Sequence, residues 1–403
     1  MIARRVLGHV PMSLVSQAFN SVTNLVLAVL VARASTPSEY GVWAIGYAIY
    51  VLALQVQRAV VSTPILLIPV EEQPTVGMRN PVLGASLGAG VIFSLTAVAI
   101  IPFVDGSHSV LIVFAALIPL LLIQDAIRHL AFRDRRGIEA AGVDLLWVVL
   151  QLVGFTWLLA AGEATGFAVT LVWAGSAAAS ALVWWAWRRV PLTVTATRQF
   201  LRDNRSASTK LLVESLLGTG VLQLLPMLLA VTAGLVVAGG MRASQTVFGP
   251  ITFVIMGITP LMTTAVVGRI AREQRYGHLL WALTGTVAAA AVGGLVILEL
   301  VPGVGRALVG DSWALVAGIL LPTTIVAGLR GIIAGVPIVL RAQHRLNETI
   351  TLRIRTAAPA LALPVAWAYL AGLEGAAWGA AAATAVNALQ SLRSLRHRAP
   401  APG

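Results

Sequence analysis

The chain has 403 residues, of which 58% are hydrophobic and only 11% are charged, and its formal net charge is +12. A soluble globular domain carries about 25% charged residues, so this composition excludes that class. Cysteine is absent, which excludes disulfide bonds, thiolate metal sites and a cysteine nucleophile.

Long apolar runs fill most of the sequence. A helix needs about 20 apolar residues to cross the hydrocarbon core, where only helices and closed barrels satisfy their backbone groups. The runs have that length, so they predict an all-α polytopic membrane protein with about twelve transmembrane helices. We expect these spans at about 10–32, 43–69, 82–104, 110–131, 143–161, 167–187, 209–232, 241–267, 278–301, 313–340, 350–371 and 375–391.

A polar interval at 188–210 separates the first six spans from the last six. It contains five arginines and one lysine but a single acid, Asp203. The interval is either a plain linker or a segment that contacts anionic lipid head groups. The domains that we predict are an N-terminal six-helix lobe at 1–187, a cytoplasmic basic hinge loop at 188–208, a C-terminal six-helix lobe at 209–391 and a cytoplasmic tail at 392–403.

Basic residues alternate sharply between successive intervals. One set of intervals holds 22 of them, whereas the opposite set holds only Arg33 and Arg306. Cytoplasmic loops are enriched in arginine and lysine. The distribution therefore predicts a multi-pass protein of the cell membrane with both termini and the hinge in the cytoplasm.

The two halves resemble each other at an offset near 200 residues. Pro119 and Pro322 both interrupt the fourth span of their half, and Arg128 and Arg330 follow eight or nine residues later. An even number of spans in each half gives repeats in the same orientation, related by an axis along the membrane normal. The pattern predicts two parallel six-helix lobes.

Polar side chains recur on single faces of the first two spans. Gln17 and Asn24 share one face of the first span, and Gln57 and Arg58 lie together on the second. Such faces avoid lipid, so they contact either neighbouring helices through hydrogen bonds or a water-filled cavity. For the faces that contain Gln, Asn and Arg we favour the cavity.

Arginines inside the spans indicate what this cavity holds. Arg58 and Arg330 lie about midway along their spans, where an arginine costs at least ~2.5 kcal/mol and usually marks a pathway. Arg128 is nearer the cytoplasmic edge, where a pair with Asp125 is a sufficient account. The three acids in or beside the spans lie toward the cytoplasmic ends, so we expect the deeper cavity to be net positive and to bind an anion. These acids are Asp125, Asp144 and Glu214.

The sequence contains no motif for nucleotide or metal chemistry. Lys210, the only lysine, is not preceded by glycine, so no Walker A loop is present, and there is no HExxH motif. We therefore predict no cofactor and no metal site. Transport then depends on differential binding of substrate or ion, and the carboxylates of Glu214 and Asp125 are the candidates that could exchange a proton or Na⁺.

The first 65 residues resemble the first two spans of a known family. The run SQAFNSVTNLVLAVLVARASTPSEYGVWAIGYAIYVLALQVQRAV has a polar first span, Arg33 at its outer end, a short loop with Pro37 and Glu39, and a long second span. This is similar to the Wzx-like polysaccharide lipid flippases of the multidrug/oligosaccharidyl-lipid/polysaccharide exporter superfamily. The resemblance implies a MATE-like flippase fold of two six-helix lobes. The only residues that it carries over are those of the Arg33 and Arg58 region.

The resemblance implies that the chain moves an anionic, polyprenyl-diphosphate-linked oligosaccharide across the cytoplasmic membrane for polysaccharide biosynthesis, by alternating access. The expected partners are this lipid-linked saccharide, membrane lipids and polysaccharide assembly proteins, and no nucleic acid. A drug or small-molecule exporter of the same fold is the alternative, although it would require a net acidic cavity for cations. The resemblance also leaves peptidoglycan-precursor flippases open, which usually have two further spans. A membrane-embedded glycosyltransferase or polymerase is less favoured because the external loops are short, so we predict that the chain is not an enzyme.

Overall fold

The computed structural model describes residues 23–67, 75–106, 108–134, 136–252, 277–343 and 345–396, together with a few single positions between 255 and 269. All the regular elements within these ranges are helices. The chain divides into two compact units. Unit 1 comprises Met1–Ser35 and Val42–Gln223, and unit 2 comprises Thr36–Gly41 and Leu224–Gly403.

The helices up to Gln223 lie mainly in unit 1, and most are long enough to cross a membrane. The second span consists of α2, a π-helical turn at Arg58–Ser62 and α3 in direct succession. A second π-helical turn, at Leu216–Gly220, follows α9. The helices are α1 (Thr23–Arg33), α2 (Pro37–Gln57), α3 (Thr63–Leu67), α4 (Thr75–Ile100), α5 (Ser109–Arg133), α6 (Gly137–Ala161), α7 (Gly166–Arg188), α8 (Val194–Asp203) and α9 (Arg205–Ser215).

The remaining helices belong to unit 2, except for the first three residues of α10. In this unit α15 packs between α12 and α16. The helices are α10 (Val221–Ala233), α11 (Leu235–Val247), α12 (Gly277–Leu300), α13 (Val304–Val309), α14 (Trp313–Ala317), α15 (Leu320–Ala342) and α16 (Leu346–Arg396).

Eight described helices are long and apolar enough to span a membrane, or nine if the bent pair Arg205–Gly218 and Gln223–Ala233 is one span. With the bent pair counted as the seventh span, the predicted count of twelve differs for two reasons. The predicted first and eighth spans are only partly described. The eleventh and twelfth are joined in α16, whose helical geometry breaks at Ala371 and Gly372.

Two glycines show that α16 folds back on itself at this break. A Cβ added at Gly375 would collide with the backbone of Trp367, and one added at Gly379 would collide with the backbone of Leu363. Residues eight apart on a straight helix are about 12 Å apart along the axis, so these contacts require two antiparallel arms. α16 therefore supplies both the eleventh and the twelfth predicted spans.

The basic interval between the two predicted lobes contains helices α8 and α9, where the sequence suggested a hinge loop. α8 packs on α4 of unit 1. Asn80 donates through Nδ2 to Thr193 Oγ1 at 3.0 Å and accepts through Oδ1 from the Thr193 amide at 2.9 Å, which fixes the start of α8. Phe200 is buried in a hydrophobic cluster, and Thr197 lies directly against Gly84.

Gly84 therefore determines how closely α8 can approach α4. A leucine at Gly84 should push α8 off α4, because a Cβ at this position would overlap the Thr197 side chain. We expect faster tryptic cleavage at Arg198 and Arg202 in the Gly84→Leu variant. The matched control is Gly88→Leu, one helical turn along α4, where no atom lies within 4 Å of an added Cβ. Equal cleavage of the two variants would contradict this packing.

Candidate functional site

The π-helical turn at Arg58–Ser62 interrupts the second span at the predicted substrate residues. The Gln57 side chain, fully buried, donates to Ser62 Oγ at 2.9 Å and to Ser86 Oγ at 3.1 Å. The carbonyl of Val60 accepts a hydrogen bond from Ser208 Oγ of α9 at 3.0 Å. Single π-helical turns occur frequently at functional sites. Side chains from α4 and α9 thus hold the widened turn that presents Arg58.

Aromatic packing fixes the register of α2 relative to α5 and α7. The Tyr50 ring stacks on Phe114 of α5 with centroids 6.5 Å apart, and it meets Trp173 of α7 edge to face at 5.3 Å. Tyr47 stacks on Trp43 one turn earlier. Aromatic pairs at these distances add to the burial energy. This packing holds α2 so that Arg58, eight residues after Tyr50, meets α5 at Asp125.

Arg58 forms a bidentate ion pair with Asp125. Its Nε donates to Asp125 Oδ2 at 3.1 Å and its Nη2 donates to Oδ1 at 2.6 Å. The side chain of Asp125 is 4% exposed, whereas that of Arg58 is 32% exposed. Nη1 of Arg58 makes no hydrogen bond to a described residue. The guanidinium therefore uses one edge for Asp125 and keeps its other edge accessible.

A second ion pair continues the network from α5 to α6. Arg128 Nε lies 3.0 Å from Asp144 Oδ1 and 3.2 Å from Oδ2, and both side chains are 3% exposed. Gln124 donates to Asp144 Oδ1 at 3.3 Å. Arg128 also approaches Asp125 Oδ1, at 3.7 Å. The four charges alternate as Arg58, Asp125, Arg128 and Asp144, and we call them the charge network.

His129 contacts the same network from α5. Its Nδ1 lies 2.8 Å from the Asp125 carbonyl oxygen and 3.3 Å from Asp125 Oδ2. Both neighbours are acceptors, so Nδ1 carries the proton of the neutral ring. The side chain is 19% exposed.

The charge network bears on three expectations from the sequence. Its two arginines face two aspartates, whereas we expected net positive charge at depth. The predicted pair of Arg128 with Asp125 is present at 3.7 Å, and Asp144 lies closer, at 3.0 Å. Within the described span, Pro37–Leu66, Arg58 lies nearer one end than we expected, since eight described residues, about 12 Å, follow it.

Asp144 is a site residue to which the sequence pattern alone assigns no partner. The pattern places it only as an acid in or beside a span. An aspartate seven residues into an apolar helix costs free energy unless it is paired, so its position was itself a signal. The arginine that pairs with it could not be chosen from the sequence.

Unit 2 contains one arginine in the middle of a described span. Arg330 lies ten residues after the start of α15 and twelve before its end, and its side chain is partly buried. It makes no hydrogen bond or ion pair with any residue that the structure describes. Pro322, predicted to interrupt this span, lies instead in the first turn of α15, where proline needs no backbone partner.

The other predicted site residues are less informative. Asn24 is partly buried on α1, and Arg33 is exposed at its end. Glu39 forms a capping box with Thr36, accepting from the Thr36 amide at 2.8 Å, so this part of the resemblance also has a structural explanation. Gln17 and the side chain of Glu214 lie outside the described residues. The described part of the chain contains no cluster of metal-binding side chains.

The sequence matches no family model and no curated protein. Solved structures do match over almost the whole chain. An inward-facing multidrug resistance MATE family transporter of the MOP superfamily has a TM-score of 0.67, 13% identity and 93% coverage of both chains. The lipid II flippase MurJ, in an inward closed conformation, has a TM-score of 0.68 and 13% identity over 96% of this chain and 88% of its own.

An outward-facing MATE transporter of the MOP superfamily is also similar, with a TM-score of 0.59 and 15% identity over 96% of this chain and 93% of its own. All three are described as transporters or flippases, and none as an enzyme. Identities this low establish the fold alone. The chain is thus an all-α, multi-pass membrane protein with the fold of MATE transporters and of MurJ, as its sequence predicted.

Proposed function

We propose that the protein transports an anionic lipid-linked oligosaccharide of the polyprenyl-diphosphate type across the cytoplasmic membrane by alternating access. The observation that carries this proposal is the accessible guanidinium edge of Arg58. Arginine binds phosphate oxygens in bidentate geometry with charge-assisted hydrogen bonds. An arginine that is held in place by a buried aspartate and still keeps free N–H groups is pre-organised for a phosphate.

Arg330 supports the same substrate class independently. A charge inside a span is expensive, and such residues mark substrate or ion pathways. The acids of unit 2 that the structure describes lie near the ends of helices or, in the case of Glu374, beside the break of α16, so a substrate anion is a suitable counter-ion for Arg330. These acids are Glu39, Glu299, Asp311, Glu348 and Glu374.

The alternative is a drug exporter, since two of the similar structures are multidrug resistance transporters. A cationic drug requires an available carboxylate. Both aspartates of the charge network already face an arginine, which favours an anionic substrate. The coupling role of Glu214 and the cytoplasmic position of the termini stay predictions.

Replacing Arg58 tests the proposal directly. In proteoliposomes that contain a fluorescent polyprenyl-diphosphate saccharide, the wild-type chain should make the lipid accessible to a membrane-impermeant quencher without ATP. Arg58→Gln should slow this step about 10- to 100-fold, because a charge-assisted hydrogen bond contributes about 1.5–3 kcal/mol. Arg58→Lys should recover little, since lysine lacks the bidentate geometry.

The matched control is Arg306→Gln, which removes an arginine whose side chain is 76% exposed. This variant should flip the lipid at the wild-type rate. Full activity of Arg58→Gln would remove Arg58 from the substrate site. Export of a cationic dye with no movement of the diphosphate lipid would favour the drug exporter.

A further inference from the structure

The charge network is neutral as long as no substrate is bound. Arg58 is offset by Asp125 and Arg128 by Asp144, and both aspartates are almost completely buried. An anion at the free edge of Arg58 would lie on the opposite side of the guanidinium from the Asp125 carboxylate. It would add negative charge where little water is available to screen it, so its binding requires compensation.

His129 can supply that compensation. It contacts the Asp125 carboxylate, and histidine is the side chain whose charge ordinarily changes near neutral pH. Its Nδ1–H already points to the two Asp125 oxygens, which leaves Nε2 as the basic nitrogen. Nε2 makes no hydrogen bond within the described residues, and the ring is partly exposed, so a proton can reach it.

The other charged groups on the elements packed around α5 either belong to the charge network or are paired elsewhere. Arg58 of the second span and Asp144 of α6 belong to the network. Glu139 of α6 is paired with Arg188 of α7 at 2.6 Å, and Arg79 of α4 lies over the Trp184 ring. On α5 itself Asp125 and Arg128 belong to the network, and Arg133 lies one turn further on, at the helix end.

We propose that His129 takes up a proton when an anion binds Arg58, so that anion binding and proton binding in unit 1 reinforce each other. This inference rests on the proposed function, because it assumes an anionic substrate at Arg58. The linkage is reciprocal: lowering the pH tightens anion binding to the same extent that the anion promotes protonation. Couplings of this kind typically change affinity about 5- to 150-fold.

The test uses the full chain in nanodiscs and UDP-N-acetylglucosamine as a soluble probe. The diphosphate of this probe is esterified at both ends, so its charge stays constant from pH 5.5 to 8. Titration calorimetry in buffers of different ionisation enthalpy gives the number of protons taken up per bound anion. We expect uptake of up to one proton near pH 7 and about tenfold tighter binding at pH 5.5 than at pH 8.

His129→Gln should bind the probe without proton uptake and with little pH dependence. The glutamine side chain can still donate a hydrogen bond to Asp125. Thermal unfolding of the variant in the nanodisc shows whether the fold is kept. The matched control is His108→Gln, whose ring bonds the Val104 carbonyl at 2.8 Å outside the charge network, and which should behave like wild type.

The outcomes separate the two proposals. Binding that requires Arg58 but takes up no proton would overturn the role of His129 and leave the proposed function standing. Proton uptake that persists in His129→Gln would also overturn the role of His129 without affecting the proposed function. Binding that is absent, or that survives in Arg58→Gln, would overturn the proposed function and this inference with it.

Discussion

Replacing Arg330 by methionine is expected to make the protein more stable and yet unable to transport. Methionine has a similar length but no charge, so the variant avoids placing a cation in the interior of α15. An arginine at the centre of a span costs about 2.5–3.5 kcal/mol of insertion free energy. Because the Arg330 side chain is only partly buried, we expect the free energy of unfolding to rise by less, about 1–2 kcal/mol. Transport should fall at least tenfold if a substrate anion is the counter-ion of Arg330.

Thermal unfolding in detergent and lipid flipping in proteoliposomes measure the two effects on the same preparation. Arg306→Met is the control within unit 2, since its side chain is exposed and only 3.9 Å from an equally exposed Asp311. It should change neither quantity. A less stable Arg330→Met variant would show that the guanidinium has a structural partner, and an active one would remove Arg330 from the substrate pathway.

The largest loss of stability is expected at the pair of Arg128 and Asp144. Asp144→Leu removes the 3.0 Å ion pair of Arg128, whose side chain is only 3% exposed. Breaking one partner of a buried pair typically costs about 3–5 kcal/mol. The double variant Arg128→Met/Asp144→Leu should recover most of this loss, since replacing a buried pair by apolar residues is often neutral.

The free energies of unfolding of the wild type, the two single variants and the double variant form a cycle that measures the interaction. The exposed pair Arg306 and Asp311 provides a matched control cycle, for which we expect a small interaction energy because water screens both charges. Equal interaction energies in the two cycles would contradict the buried geometry. A double variant as unstable as Asp144→Leu would show that the pair cannot be replaced as a unit.

The similar structures also limit how far the fold determines the substrate. MATE transporters and MurJ share this architecture, although the former are described as multidrug resistance transporters and the latter as a lipid II flippase. Function therefore has to be argued from the charged residues inside the helices and not from the fold. In the described spans, Arg58 and Arg128 face aspartates, and Arg330 has no acidic partner among the described residues. These arginines are the reason for proposing an anion.

The amino-acid sequence by itself determined the class of protein, the helical fold and most span positions. It could do so because hydrophobic runs of 20 or more residues have one stable solution in a bilayer. It also identified Arg58, Arg330 and Asp125, since charged residues inside such runs are conspicuous.

Only the tertiary structure decided which charges meet. Asp125 and Arg128 are three residues apart on one helix, so a local rule predicted their pairing. The stronger contacts join Arg58 to Asp125, 67 residues apart, and Arg128 to Asp144, 16 residues apart. Such pairs depend on how α5 is rotated against its neighbours, which aromatic packing and the π-helical turn set. The charge balance of the network follows from that packing, because a buried charge is stabilised only where a partner can reach it.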